Sequence, residues 1–184
     1  LRTRSFWSLS LGDMLTGLVF AVFNVQLVVF ITRDYGDRDS ATQIFSLFLL
    51  MLAGGTLVFG PLADRFSMKR VLVLCYALPA VSMLLLYPAT SIGLAFTFAV
   101  IAGLAGGGRS AIFPVAVVYC FGETHMAAIY GLSNTMFMLG NAAGPALGGY
   151  IYDTTGSTQA VYIFCTVTQL CSASLIALIR NEKP

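Results

Sequence analysis

Long apolar runs dominate the sequence, and short polar segments divide them into six. A bilayer core about 30 Å thick is crossed by about 20 helical residues, which is close to or below the length of each run. Strict alternation over about ten residues, typical of a membrane β-barrel, is missing from these runs. The pattern therefore predicts an all-α integral membrane protein with six transmembrane helices in one bundle, spanning residues 1–184. The predicted spans cover about residues 6–32, 42–62, 71–87, 92–121, 126–152 and 160–179.

The composition agrees with a lipid environment. The chain is 58% hydrophobic and only 10% charged, whereas roughly 25% of the residues of a soluble domain are charged. Its mean hydropathy is +0.85. The net charge of +2 and the lack of a basic run argue against a nucleic-acid partner. The lipid bilayer is the expected surrounding.

Basic residues predict the orientation, because short loops rich in Lys and Arg stay in the cytoplasm. If the spans alternate in direction, the face of the N-terminus carries seven bases and the opposite face two. Both termini are therefore predicted to be cytoplasmic, in a multi-pass protein of the cell (inner) membrane. The seven are Arg2, Arg4, Arg65, Lys69, Arg70, Arg180 and Lys183, and the two are Arg33 and Arg38.

The chain begins at Leu1 without a methionine and ends in the polar tail Asn181–Pro184. We expect it to be a piece of a longer protein. The alternative is a complete half-size protein that works as two copies.

The loop between spans two and three carries the sharpest motif, Gly60-Pro-Leu-Ala-Asp-Arg-Phe-Ser-Met-Lys-Arg70. It resembles the signature of major facilitator transporters between their second and third helices, which recurs in weaker form between the eighth and ninth. Ser67 and Met68 depart from that pattern, where Gly and often a base stand. The resemblance implies a cytoplasmic gating loop, and a plain positive-inside loop is the alternative. Its predicted gating residues are Asp64, Arg65, Lys69 and Arg70.

Span five holds a stripe of glycines four residues apart, Gly140, Gly144 and Gly148, which predicts close packing against another helix. The stripe with its following Tyr-Asp and Gly-Ser resembles the eleventh helix of the monocarboxylate and oxalate/formate exchanger group. The resemblance covers essentially the whole chain and corresponds to helices seven to twelve. It implies the C-terminal half of a transporter, partnered by an N-terminal six-helix half.

Polar residues inside the spans are few, and such residues mark substrate pathways by default. Span one holds Asp13 and Asn24, span four holds Arg109, and span five holds Asn134 and Asn141. All five are predicted substrate-binding residues. The alternative for Arg109 is an ion pair with Asp13, which would be structural or gating. The alternative for the asparagines is hydrogen bonding between helices.

The family resemblance implies secondary active transport of small solutes by alternating access, without enzyme chemistry or a cofactor. Arg109 favours small organic anions such as monocarboxylates. Efflux of neutral or cationic drugs by the same fold and a truncated non-transporting subunit are the alternatives. No metal site is expected, because His125 is the single histidine and the four cysteines form no C-x-x-C pair. The stretch Gly103–Ser110 resembles a phosphate-binding loop, but it lies within a span.

Overall fold

The computed structural model describes residues 4–36, 38–87, 91–123 and 126–179, and the side chains of Asp34, Tyr35 and Asp64 lie outside that description. Every regular element in these ranges is a helix. The six helices are α1 (Arg4–Tyr35), α2 (Arg38–Arg65), α3 (Met68–Met83), α4 (Ile92–Phe121), α5 (Met126–Thr155) and α6 (Thr158–Ala177). Four of them, α1, α2, α4 and α6, are long and apolar enough to cross a membrane. Over the described residues, the chain is thus an all-α membrane protein with six helices.

Several helix ends differ from the ends of the predicted spans. Both α1 and α2 continue past their apolar runs into charged residues, which remain helical at their ends. In contrast, α3 stops at Met83, four residues before the predicted end. The N–H groups of residues 84–87 bond to carbonyls three residues back, so the last turn tightens and the α-helical pattern ends.

The helices form two sets of three, α1–α3 and α4–α6, and the contacts of one set mirror those of the other. The first helix of each set contacts the second helix of the other set most extensively, α1 with α5 and α4 with α2. The third helices behave alike, since α6 packs on α1 and α3 packs on α4, and α3 and α6 also touch each other. This arrangement is typical of an internal repeat in a transporter bundle.

Glycines allow the two main helix pairs to approach each other closely. A methyl group at Gly140 would collide with the carbonyl oxygen of Met14 across the α1–α5 seam. A methyl group at Gly107 would likewise collide with the carbonyl oxygen of Leu52 across the α2–α4 seam. Neither position can hold a larger residue unless the helices separate. Gly144 and Gly148, the other two members of the predicted stripe, also lie buried against α1.

Buried apolar side chains form two clusters, one toward each end of the bundle. The first cluster includes Phe23, Phe98 and Tyr162. The second includes Leu9 and Ile112. Between them lie the buried hydrogen-bonding side chains of α1, α3, α4 and α6. We call this group the polar layer; it consists of Asp13, Thr16, Tyr76, Arg109, Gln169 and Ser172.

Several residues used in the sequence analysis lie outside the described ranges. They are Arg2, His125, Arg180 and Lys183.

Candidate functional site

The polar layer is organised around an ion pair between α1 and α4. Arg109 donates from Nη1 to Oδ1 of Asp13 over 2.6 Å. The Asp13 side chain is 2% exposed and that of Arg109 is 15% exposed. An arginine at the centre of a membrane helix costs about 2.5–3.5 kcal/mol to insert, and a buried carboxylate at this distance offsets part of that cost.

Tyr76 of α3 is the third member of this group. Its hydroxyl donates to the same Oδ1 atom of Asp13 over 2.7 Å, and its side chain is fully buried. The carboxylate therefore accepts bonds from two other helices. This fixes its position and satisfies a charge that lies far from water.

A chain of hydrogen bonds links α6 to the same layer. Nε2 of Gln169 donates to the carbonyl of Tyr76 over 3.0 Å and to Oγ1 of Thr16 over 3.3 Å. Ser172 donates to the carbonyl of Gly12 over 2.6 Å, so the hydroxyl of Thr16 must donate to Oγ of Ser172, 2.8 Å away. Each hydroxyl has one proton to give, which sets this direction. The layer thus ties α1, α3, α4 and α6 together.

A cavity of about 40 Å³, which is room for a few water molecules, borders the polar layer. Its lining comes from five helices, and α5 is the one that contributes nothing to it. Three members of the polar layer, Thr16, Arg109 and Gln169, form its polar part. The rest of its lining is mainly apolar and comprises Val19, Phe20, Phe23, Phe48, Cys75, Pro79, Met83, Phe98, Ala102 and Gly106.

Arg109 holds its ion pair and also faces this cavity. One nitrogen, Nη1, engages Asp13, and the centre of the guanidinium lies 4.3 Å from the centroid of the Phe137 ring. The hydroxyl of Tyr76 is a second hydrogen-bonding neighbour of the guanidinium. A guanidinium carries five N–H donors, so most of them are available to an anion in the cavity.

The three predicted asparagines do not join this group. Asn24 is half-buried and donates to the carbonyl of Phe20 in its own helix over 2.9 Å. Asn134 and Asn141 are half-buried on α5, which does not line the cavity. Neither amide bonds to another helix within the described part of the chain. Their predicted contact with substrate stays a prediction.

The predicted gating loop connects α2 to α3 at one end of the bundle. Arg65, Lys69 and Arg70 are exposed, and Asp64 is the penultimate residue of α2. Near the C-terminal end of α1, the guanidinium of Arg33 lies 4.1 Å from the centroid of the Tyr152 ring. This contact joins the C-terminal ends of α1 and α5. The role of the three loop cations in gating, with that of Asp64, stays a prediction.

Sequence reasoning missed Tyr76, Gln169, Ser172 and Thr16. The substrate-binding candidates predicted from the sequence lie in spans one, four and five, yet α3 supplies Tyr76 and α6 supplies Gln169 to the buried layer. The available signal was weak: a glutamine eight residues before the end of α6 is a costly residue in lipid.

Comparison with known protein families identifies the family of this chain. The family model described as Major Facilitator Superfamily matches residues 9–184. The chain belongs to the major facilitator superfamily. This superfamily consists of multi-pass membrane transporters, which agrees with the six helices and with the polar layer inside an apolar bundle.

The individual relatives include an efflux pump and monocarboxylate transporters. Efflux pump dotC of Dothistroma septosporum is 25% identical over 177 residues, which is 96% of this chain and 30% of that protein. Monocarboxylate transporter 12 of Mus musculus is 26% identical over 74% of this chain and 30% of its own. Monocarboxylate transporter 9 of Gallus gallus is 32% identical over 80% of this chain and 29% of its own. The chain thus spans about 30% of the length of these curated relatives.

Proposed function

We propose that the chain is the C-terminal six-helix half of a secondary active transporter that carries small organic anions such as monocarboxylates. It works by alternating access together with an N-terminal six-helix half, or with a second copy of itself. The observation that carries the proposal is Arg109, a buried cation that faces a cavity while one of its nitrogens is paired with Asp13. A planar guanidinium with free donors suits a carboxylate ligand.

The monocarboxylate transporters among the relatives also support this proposal. Their names state that class of substrate. We further propose that both termini and the loop containing Arg65 and Arg70 face the cytoplasm of the cell (inner) membrane, because the predicted cytoplasmic side carries seven bases against two. The protein is proposed to act without enzyme chemistry.

A second candidate function is efflux of neutral or cationic compounds. Two observations favour it: Asp13 balances the charge of Arg109 at 2.6 Å, and an efflux pump is among the relatives. Under this alternative the ion pair holds the helices together and does not contact the transported compound. Replacement of Arg109 separates the two functions.

The test uses the full-length transporter in proteoliposomes loaded with unlabelled acetate or benzoate, with uptake of the labelled anion as the readout. Arg109→Lys keeps the charge but loses the planar fork, so uptake should fall by at least about tenfold. Arg38→Lys, at the exposed start of α2, is the matched control and should transport normally. Normal anion uptake by Arg109→Lys would contradict the substrate role. Uptake of lipophilic cations in place of anions would favour efflux.

A further inference from the structure

A recess of about 30 Å³ lies where the start of α3 meets the ends of α4 and α6. We call it the loop-end recess, because the α2–α3 loop enters α3 beside it. Its rim carries two exposed polar side chains, Lys69 of α3 and Tyr119 of α4. The other lining residues are apolar, and they are Met68, Leu72, Ala116, Cys120, Ile176 and Ile179. The loop-end recess thus combines an apolar floor with one cation.

The apolar surface continues outward from the recess. Val115, one helical turn from Tyr119 on α4, is 51% exposed. Leu178, next to Ile179 in the chain, is 67% exposed. Apolar side chains this exposed, on helices long and apolar enough to cross a membrane, contact lipid acyl chains. A lipid beside the recess therefore meets apolar protein surface both inside it and around it.

The charges at this end of the bundle favour an anion. Among the described side chains there, four are bases and Glu123 is the one acid. The bases are Arg4, Arg65, Lys69 and Arg70, and of these Lys69 lines the recess. Basic residues at the ends of membrane helices attract anionic lipid headgroups, and basic pockets between such helices bind them. A soluble anion would gain nothing from the apolar floor.

We propose that the loop-end recess binds an anionic phospholipid. The phosphate of the lipid lies against the ammonium group of Lys69, and one acyl chain crosses the recess and continues along Val115. The recess admits only a few methylene groups, so most of the chain covers the exposed surface around it. The bound lipid holds α3, α4 and α6 together at this end. This site is independent of the transported compound and of which membrane face the loop occupies.

The test measures lipid binding to the full-length transporter in a neutral detergent by native mass spectrometry. Phosphatidylglycerol and phosphatidylcholine with identical acyl chains are compared, because they differ in headgroup charge. The first molecule of phosphatidylglycerol should bind about fivefold more tightly, which is the size expected for one lysine at a headgroup. An excess of glycerol phosphate, which lacks acyl chains, should not displace it, because it cannot cover the apolar floor.

Two pairs of variants assign the binding to the recess. Lys69→Gln should remove the preference for phosphatidylglycerol, whereas Arg4→Gln, which removes an exposed base outside the recess, should keep it. Val115→Ser should weaken the binding of both lipids about twofold to fivefold, because apolar contact is lost. Val81→Ser is its control, since Val81 is 58% exposed near the other end of α3. All four positions are exposed, so the variants should fold.

Three results would overturn the proposal. Equal binding of the two lipids by the unmodified protein would show that the recess does not select an anionic headgroup. A preference for phosphatidylglycerol that persists in Lys69→Gln would place the lipid elsewhere. Displacement of the lipid by glycerol phosphate would indicate a plain anion site without a role for the apolar floor. None of these results bears on the proposed anion transport, which is measured separately by uptake.

Discussion

Asp13 and Arg109 are 96 residues apart in the chain, yet Oδ1 of one and Nη1 of the other lie 2.6 Å apart. The pair joins the first helices of the two three-helix sets, α1 and α4. It lies between the two apolar clusters, so each charge depends on the other for its stability in a medium without water.

The first prediction concerns the energetic coupling of this pair. Arg109→Gln leaves Asp13 as an uncompensated buried carboxylate and should lower the free energy of unfolding by about 3–5 kcal/mol. The double variant Asp13→Asn/Arg109→Gln removes both charges and should recover most of that loss. The measurement is the unfolding midpoint of the protein in detergent, with Arg38→Gln as the control at an exposed position. If the loss in the double variant equals the sum of the losses of Asp13→Asn and Arg109→Gln, the two charges are not coupled.

The ion pair illustrates what the sequence can predict. A lone acid and a lone base at similar depths in two spans indicate a pair or a site, because lipid offers no other partner. The six helices follow from the spacing of polar interruptions for the same reason. Tyr76 and Gln169 could not be predicted in this way, because helical spacing says which residues share a face but not which neighbour that face meets. That information arises only from the packing of α3 and α6.

The second prediction concerns the α1–α5 seam. Gly140→Ala places a methyl group against the carbonyl of Met14, so the helices must separate and the thermal midpoint should fall clearly. Gly131→Ala is the control in the same helix, because a methyl group there meets nothing within 4 Å. The control should be neutral or slightly stabilising, by up to about 1 kcal/mol, because alanine favours helix. Equal destabilisation by both substitutions would exclude the seam as the cause.

The third prediction concerns topology. Single cysteines at Ser67 and Asp153 lie at exposed positions, in the α2–α3 loop and near the end of α5. In a background with exposed Cys171 replaced by serine, an impermeant maleimide should label Asp153→Cys in intact cells. Ser67→Cys should be labelled only after the cells are opened. Labelling of both from outside would refute the predicted cytoplasmic loop.

The fourth prediction concerns the gating loop. If Asp64 stabilises one conformation of the transporter, Asp64→Asn should reduce the rate of transport while the equilibrium affinity for the anion stays within a few-fold. Glu123→Gln, exposed just after α4, is the matched control for loss of one acid. Rate is measured by uptake in proteoliposomes and affinity by equilibrium binding in detergent. A large loss of affinity with normal expression would instead assign Asp64 to the binding site.

The separation of Asp13 and Arg109 along the chain also matters during synthesis. At about 5–20 residues per second, the ribosome makes Arg109 about 5–20 s after Asp13, since 96 residues separate them. The α1 segment is thus made before Arg109, the counter-charge of its carboxylate. The α1 segment is the most apolar of the four that can cross a membrane, which helps it to insert despite that charge. A nascent chain stalled before α4 should therefore depend on the insertion machinery to retain α1.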